Sequence, residues 1–244
     1  MQEVLVRGNS LPTAYHDALF ALYVMGDEVP CPDYKTTQRE CSMTMVISRP
    51  LKEPMISRLF IGGAHDLEQY RQEMLDGILD FEVEKGNWKY TYHQRYADQY
   101  RFIIDELKRN PYSRRAVLNI RTEDDIGSDD PACWQHAQYF IRDGELHCKV
   151  LFRSNDAVKA AFMNAFALIM LQKRIADELD VPIGTYTHRA NSFHVYERDY
   201  DLLDGYVKRI NSDEETTYYY TGDWDAQMEE EKESIAEKVE SLRR

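Results

Sequence analysis

One segment of the chain is apolar on nearly every side. Residues 156–179 read "DAVKAAFMNAFALIMLQKRIADEL" and become polar only near the end. A helix at the surface of a globular protein carries its apolar residues along one stripe, so a helix that is apolar all round has to be buried. The segment therefore predicts a long helix in the middle of a domain, with the other elements packed around it.

Extended segments lie on both sides of that helix. The strand-like patterns are "RRAVLNIR" at 114–121, "QHAQYFIR" at 135–142, "ELHCKVLFR" at 145–153 and "IGTYTHRANSFHVYERD" at 183–199. The Asp-Gly pair at 143–144 is a strong signal for a hairpin turn. Because strands joined by a tight turn pair antiparallel, we predict a mainly antiparallel sheet.

Helical patterns account for much of the remaining chain. The first is at 10–26, where Ser10 and a proline begin the segment. The others start after Asp66 and lie at 97–110 and 197–210. A short strand at 41–49 ends at a proline. Together with the central helix, these elements predict an α+β fold.

The chain shows no repeat and no linker before about residue 212. Residues 212–225 are polar and rich in tyrosine, and 226–244 has Glu and Lys at i, i+4 spacing. We predict one domain over 1–211, followed over 212–244 by a polar connection and a charged C-terminal helix or tail. We expect this tail to be exposed and not to act as a lid.

Charge and hydropathy argue against two classes of partner. The net charge is −13, whereas proteins that follow a nucleic-acid backbone need clustered Lys and Arg. No run approaches the roughly 20 apolar residues of a membrane span, and the N-terminus lacks a signal-peptide pattern. We expect a cytoplasmic protein that binds neither nucleic acid nor membranes. Four isolated cysteines indicate neither a zinc site nor a disulfide scaffold.

Cys133 lies in "DDPACWQHAQ", a polar setting that is unusual for a buried cysteine. A cysteine nucleophile reacts as the thiolate, which nearby arginines stabilise by lowering the thiol pKa. Arg114 and Arg115 open one predicted strand, and Arg153 with Ser154 ends another. These groups are either ordinary surface charge or a phosphate clamp, because planar guanidinium groups bind phosphate oxygens in pairs.

Polar side chains also occur within apolar patterns. Glu73 is either solvent-facing or a partly buried carboxylate with a raised pKa, fit for proton transfer. Asn164 lies in the middle of the apolar helix, where its amide binds either the backbone or a ring ligand with adjacent donor and acceptor. His194 and Tyr196 share one face of a strand and are either core residues or hydrogen-bond donors to a ligand.

Four motifs, in this order, resemble those of a known family. "YSRR" at 112–115, "DDPACWQHAQ" at 129–138, "RSNDAVKAAFMN" at 153–164 and "HVY" at 194–196 resemble the thymidylate synthase and pyrimidine-nucleotide hydroxymethylase family. The upstream "RLFIGGAHDLEQYRQEMLDGI" and "WKYTYHQR" look most like the short thymidylate synthases of methanogenic archaea. The resemblance covers about 1–210 and implies the thymidylate synthase fold.

The resemblance implies a role for each of these positions. Cys133 matches the nucleophile that adds to C6 of the pyrimidine, and Glu73 matches the glutamate that organises water and proton transfer at the base. Tyr92 resembles the tyrosine that assists proton removal at C5. By the same resemblance, Arg153 and Ser154 bind the phosphate, with Arg153 also near the thiolate, and Arg114 and Arg115 bind the phosphate of the partner subunit's site. Gln138 contacts the nucleotide near the nucleophile, and His194 and Tyr196 hold the sugar 3′-hydroxyl. Asp156 binds the pterin ring. The active enzyme is then an obligate homodimer.

Asn164 matches the asparagine that reads the base, and its chemistry favours dUMP. Uracil presents an acceptor at O4 beside a donor at N3, which one amide can match, whereas cytosine presents a donor beside an acceptor. The resemblance thus predicts reductive methylation of dUMP to dTMP, with methylene-tetrahydrofolate or methylene-tetrahydromethanopterin as co-substrate. The alternatives are a 5-hydroxymethylase acting on dUMP, dCMP or CMP, in which water quenches the C5 methylene, and a nucleotide-binding protein without activity.

The sequence departs from the family pattern at several places. Trp134 follows the nucleophile where most folate-dependent members have histidine, and their apolar C-terminal end, which closes over the substrate, has no counterpart. Closure keeps water from the exocyclic methylene and so bears on the product. The N-terminal phosphate loop of the family is also absent, and Lys35 or Arg39 is the candidate substitute.

Overall fold

The computed structural model describes residues 1–244 and contains the predicted central helix. Helix α5 spans Ala161–Leu179, and Phe166, Leu168 and Ile169 on it have no exposed surface. It packs against three other helices and against the sheet. The prediction of a buried central helix is confirmed, because an all-apolar helix is stable in water only when it is covered on every side.

Eight strands form one sheet. Their bounds are β1 Glu3–Gly8, β2 Asp27–Cys31, β3 Thr36–Ile47, β5 Val117–Asn119, β6 Trp134–Arg142, β7 Glu145–Phe152, β8 Asn155–Asp156 and β9 Ile183–Tyr196. The order is β1-β3-β9-β7-β6-β5, with β2 paired to β3 and β8 to β9. A separate pair of short strands joins β4 Ile56–Ser57 to β10 Thr217–Tyr218.

The sheet is mixed, with antiparallel pairs in the majority. The parallel pairs are β1 with β3, β7 with β9 and β8 with β9. Helix α5 lies between β8 and β9 in the chain and returns the backbone to the starting edge, which makes those neighbours parallel. The hairpin prediction is confirmed, since Asp143 and Gly144 have φ of 54° and 79°, as the two central residues of a tight hairpin turn require.

Six further helices cover the core. They are α1 Leu11–Met25, α2 Ala64–Asp76, α3 Phe81–Glu84, α4 Tyr92–Arg109, α6 Tyr200–Ile210 and α7 Asp225–Arg243. Helix α2 ends earlier than its apolar pattern suggests because Gly77 adopts a left-handed φ of 64°. Helix α4 begins five residues before the predicted start, where the Thr91 hydroxyl accepts from the Gln94 N–H. No helix is both long enough and apolar enough to cross a membrane.

The two faces of the sheet differ. Ala137, Tyr139 and Val150 face the helices and are buried, whereas the alternating residues on the other face are half-buried or exposed. Shallow cavities of about 450 and 320 Å³ lie on this second face, which we name the open sheet face and define by His136, Phe140, Lys149, Thr187 and Arg189, among others. No helix covers these positions.

The C-terminal segment folds against the rest of the chain. Trp224 is 8% exposed and meets Phe60 with ring centroids 5.9 Å apart. Helix α7 packs along α2 and buries Met228 and Ile235. The charged tail is therefore a docked helix whose outer side is exposed. The domain boundary at residue 211 stays a prediction.

Candidate active site

Cys133 lies at the start of β6, beside the end of β7. The backbone N–H of Arg153 donates to the Cys133 carbonyl at 2.8 Å. The Arg153 guanidinium donates through Nε to the Ala132 carbonyl (3.2 Å) and through Nη2 to the Pro131 carbonyl (2.8 Å). Arg153 therefore anchors the loop that presents the thiol, and the two predicted residues lie together.

The pKa of the half-buried Cys133 thiol is raised. Burial is the largest cause; the Arg153 guanidinium lowers the pKa and the Asp130 carboxylate raises it. The effect of the arginine has the direction that its charge predicts, but burial outweighs it. The thiol is therefore less acidic than an ordinary cysteine and holds its proton at neutral pH.

Ser154, His194 and Tyr196 come together next to Arg153. The Ser154 hydroxyl lies 3.3 Å from His194 Nδ1, and the rings of His194 and Tyr196 meet edge to face with centroids 4.8 Å apart. Burial lowers the pKa of His194, and its buried Nε2 has no hydrogen-bond partner. Since buried polar atoms are nearly always paired, this nitrogen is an available contact for a ligand or a water.

Asp156 is paired with His194 in the register of β8 and β9. Its Oδ1 accepts the backbone N–H groups of Val158 (3.1 Å) and Lys159 (2.9 Å). The carboxylate therefore shapes the turn that leads into α5, and its second oxygen makes no hydrogen bond within the chain.

Asn164, on α5, is 6% exposed, and its amide forms one hydrogen bond with another side chain. The Tyr70 hydroxyl, on α2, donates to Asn164 Oδ1. Burial raises the pKa of Tyr70 and the nearby Glu73 and Cys133 raise it further, which places this tyrosine among the predicted catalytic groups. Tyr70 lies one helical turn before Glu73, and this spacing was the only signal in the sequence that pointed to it.

A cavity of about 480 Å³ adjoins these residues. Its wall includes Tyr70, Glu73, Trp88, Tyr90 and Tyr92. Four of its eleven lining residues are aromatic, and two, Glu73 and Asp130, carry carboxylates.

Tyr92 faces both this cavity and the nucleophile loop. Its hydroxyl accepts a hydrogen bond from the backbone N–H of Trp134 at 3.4 Å. Its pKa is raised, first by burial and then by nearby groups that include Tyr70 and Cys133. A phenol with a raised pKa keeps its proton at neutral pH and can donate a hydrogen bond.

Glu73 is connected to the C-terminal helix. Gln69 Nε2 donates to Glu73 Oε1 at 2.7 Å, and Lys238 Nζ, on α7, donates to Gln69 Oε1 at 2.7 Å. Burial raises the pKa of Glu73, while the Gln69 hydrogen bond and the Lys238 charge lower it. The net shift is upward, so the partly buried reading of Glu73 is the one that the structure supports.

Arg114, Arg115 and Gln138 lie apart from the Cys133 loop. Gln138 Nε2 donates to the Arg114 carbonyl at 3.0 Å, and the neighbouring Tyr112 carbonyl accepts from Arg142 at the far end of β6. The length of β6 puts the arginine pair on the order of 25 Å from Cys133. The two guanidinium groups are exposed and form no ion pair, and they line an open cavity of about 570 Å³.

Comparison with known proteins shows the family to which the chain belongs. The family model described as "Thymidylate synthase" matches residues 67–229. The chain belongs to the thymidylate synthase family. A provisionally named thymidylate synthase of Methanocaldococcus jannaschii is 32% identical to this chain, over 82% of this chain and 95% of the relative. Another, of Methanosarcina mazei, is 36% identical over 85% of this chain and 96% of the relative. A thymidylate synthase of Bacillus licheniformis is 30% identical over 66% of this chain and 61% of its own length.

A solved structure shares the fold. The thermostable thymidylate synthase A of Bacillus subtilis matches with a TM-score of 0.66 and 17% identity, over 82% of this chain and 84% of that one. The predicted thymidylate synthase fold is thereby confirmed.

Trp134, which departs from the thymidylate synthase pattern, has a structural role. It has no exposed surface; its indole N–H donates to the His136 carbonyl at 3.0 Å, and its ring centroid lies 5.6 Å from that of Tyr92.

The two candidate substitutes for the phosphate loop lie in different settings. Arg39 lies over the rings of Tyr23 and Tyr200. Lys35 is exposed in the turn between β2 and β3, and its phosphate role stays a prediction.

An ion pair that the sequence reading missed also supports the nucleophile loop. Asp125 is 3% exposed; it accepts from the Ala132 N–H at 3.3 Å and pairs with Arg95 at 3.3 Å. Asp125 lies in the acidic run 123–130, and it is buried although the other acidic residues of the run are exposed. The backbone next to Cys133 is therefore held by Asp125 on one side and Arg153 on the other.

Proposed function

We propose that this member of the thymidylate synthase family converts dUMP to dTMP, with a methylene-tetrahydropterin as co-substrate. The observation that carries the proposal is the position of Tyr70. It donates to Asn164, the predicted base-reading residue, and lies near the Cys133 thiol. A group that reads the ring and a group that attacks it therefore border the same space.

The neighbouring polar groups suit a nucleoside monophosphate. Arg153 and Ser154 supply cationic and hydroxyl donors for phosphate, and the unpaired Nε2 of His194 is a contact for the sugar hydroxyl. The loss of hydration on burying a phosphate is offset when charged donors replace the water. The ring then extends toward Cys133 and Asn164.

In the proposed mechanism the Cys133 thiol gives up its proton to water, and the sulfur forms a bond to C6 of uracil. Electrons move from the C5–C6 double bond to O4, where the Asn164 amide donates a hydrogen bond to the developing enolate. C5 thereby becomes a nucleophile toward the one-carbon unit. Glu73 directs proton transfer at O4 through water, and Tyr92 orients a water that removes the C5 proton. When hydride adds to the C5 methylene, the C5–C6 double bond re-forms and the Cys133 sulfur leaves C6 as the thiolate.

A bound methylene-tetrahydropterin supplies the one-carbon unit and then the hydride that completes the methyl group. The aromatic cavity beside Glu73 fits a flat ring, since Trp88 and Tyr90 offer stacking faces. We propose that Asp156 binds a pterin N–H through the oxygen that makes no hydrogen bond within the chain. Tetrahydrofolate and tetrahydromethanopterin share this ring and remain the two candidates.

We further propose a homodimer joined through the open sheet face. Arg114 and Arg115 are exposed and unpaired, and they are too far from Cys133 to serve a phosphate in their own chain. In a dimer with twofold symmetry, each pair would complete the phosphate site of the other subunit, as the family resemblance implies. Gln138, bonded to the Arg114 carbonyl, would then be a support for this pair.

Replacing the nucleophile tests the proposal. We expect Cys133→Ser to abolish both dTMP formation and release of tritium from C5-labelled dUMP, because a serine hydroxyl is a far weaker nucleophile at C6. The control is Cys31→Ser, which removes the other half-buried thiol and should retain both signals. Tritium release that persists in Cys133→Ser would contradict the mechanism.

One observation favours the second candidate, a 5-hydroxymethylase. None of the residues that line the aromatic cavity comes from α7, so the C-terminal helix does not shield the methylene intermediate from water. Mass spectrometry of the product separates the candidates, because the hydroxymethyl nucleotide is heavier than the methyl nucleotide by one oxygen atom.

A further inference from the structure

We infer that Tyr70 is a positioning residue that sets the choice between uracil and cytosine by fixing the orientation of the Asn164 amide. The inference deepens the proposed function and rests on the nucleotide site proposed above. Tyr70 and Asn164 lie on different helices, α2 and α5, which pack against each other. Their contact joins the predicted base-reading residue to a side chain that the sequence analysis did not assign.

An asparagine amide can read either base, depending on which way it is turned. With Nδ2 toward position 4 of the ring, it donates to uracil O4 and accepts from N3–H. Turned over, it accepts from the cytosine amino group and donates to N3. Asparagine at position 164 therefore does not by itself exclude cytosine. Whatever holds the amide in one orientation decides the specificity.

For a ring placed with position 4 toward Asn164 Nδ2, the Tyr70 contact holds the amide in the orientation that reads uracil. The Tyr70 hydroxyl donates to Oδ1, and Nδ2 makes no hydrogen bond within the chain. Turning the amide over would place Nδ2 against the Tyr70 oxygen, which would then have to accept. The hydroxyl proton would lose its acceptor, because the structure gives Tyr70 no second hydrogen-bond partner.

The surroundings make that loss costly. Asn164 is 6% exposed and Tyr70 lies in the cavity wall, so a base bound against them would displace the water that could otherwise replace the lost bond. The penalty for an unpaired buried donor corresponds to about tenfold or more in a binding ratio. One hydroxyl on α2 is therefore sufficient to bias the site toward uracil.

Binding of two nucleotides to the full chain tests the inference without turnover. We would measure Kd for dUMP and dCMP by calorimetry with wild type, Tyr70→Phe, Asn164→Ala and the double variant. The two nucleotides share phosphate and sugar, so the ratio of their Kd values isolates the base. Tyr100→Phe is the control, because it removes a tyrosine hydroxyl that bonds Glu178 outside the cavity.

We expect wild type and Tyr100→Phe to prefer dUMP, and Tyr70→Phe to reduce that preference by about tenfold, mainly through tighter dCMP binding. In the Asn164→Ala background, Tyr70→Phe should leave the ratio unchanged. An unchanged ratio in Tyr70→Phe, or the same reduction without Asn164, would overturn the inference, as would a wild type that does not prefer dUMP. A wild type that shows the predicted ratios but forms no dTMP would refute the proposed function alone.

Discussion

At the scale of single residues, the acidity of Cys133 is decided by opposing contributions. Burial raises the pKa of the thiol, Arg153 lowers it, and Asp130 raises it again. Asp125 and Arg153 hold the backbone on either side of the thiol, but only Arg153 lowers the thiol pKa, because its positive charge stabilises the thiolate. The nucleophile is thus held in place on both sides, and the net effect of its surroundings is to make the thiol less acidic than an ordinary cysteine.

The Asp130 contribution gives a prediction for thiol reactivity. Asp130→Asn removes a negative charge that disfavours the thiolate, so the pKa of Cys133 should fall and its alkylation by iodoacetamide at pH 7 should become faster. The midpoint of the rate against pH should move to lower pH. Asp129→Asn is the matched control, since Asp129 does not affect the pKa of this thiol. Equal rates in wild type and Asp130→Asn would show that Asp130 does not act on the thiol.

At the scale of elements, helix α7 is the least expected feature. The thymidylate synthase family model ends at residue 229, yet α7 continues to Arg243 and lies along α2. Ile235 has no exposed surface, and His65 Nδ1 lies 2.8 Å from Glu231 Oε2. Through Lys238 and Gln69 the helix also reaches Glu73. A segment outside the matched region therefore influences a predicted catalytic carboxylate.

Lys238→Met should raise the pKa of Glu73. Removing the positive charge disfavours the carboxylate form, so Glu73 should hold its proton to higher pH than in wild type. The groups that face or surround Glu73 are Gln69 and Tyr70 on α2, Tyr92 on α4, Lys89 and Asp130 in the cavity wall, and Lys238 on α7. The measurement is a carbon-13 NMR titration of the Glu73 carboxyl carbon, assigned with Glu73→Gln.

The control for this titration is Lys232→Met, on the same helix. Lys232 pairs with Glu229 and lies one and a half turns before Lys238, so the pKa of Glu73 should not change. The shift in Lys238→Met should shrink in high salt, because Lys238 is exposed and its charge is screened. A Glu73 titration that is identical in wild type and Lys238→Met would mean that α7 does not act on this carboxyl.

At the scale of the whole molecule, the predicted site residues fall into two groups. Cys133, Arg153, Ser154 and His194 lie together, while the arginine pair Arg114 and Arg115 lies at the other end of β6. If Arg114 and Arg115 bind phosphate as proposed, a single chain presents an incomplete set of phosphate ligands. We propose the open sheet face as the surface that pairs with a second copy, because no helix covers it.

Mixed dimers test this arrangement. Cys133→Ser and the double variant Arg114→Ala, Arg115→Ala should each be nearly inactive alone. After the two are mixed 1:1 and allowed to exchange subunits, half of the dimers should carry both kinds of chain and one complete site, giving about a quarter of wild-type activity. The control is Arg101→Ala, which removes an exposed arginine on α4. Alone, it should keep the activity of wild type. No recovery on mixing would contradict a shared site.

The sequence alone determined the central helix, the hairpin at Asp143 and Gly144 and the order of the motifs, because hydrophobic period and turn chemistry act over a few residues. It also indicated Cys133, Arg153 and Asn164, whose residue types are unusual for their local patterns. Short-range patterns leave little trace of contacts between distant segments. Only the tertiary structure decided that Tyr70 faces Asn164, that Asp125 supports the nucleophile loop and that α7 reaches Glu73, since each contact depends on how separate helices and loops pack.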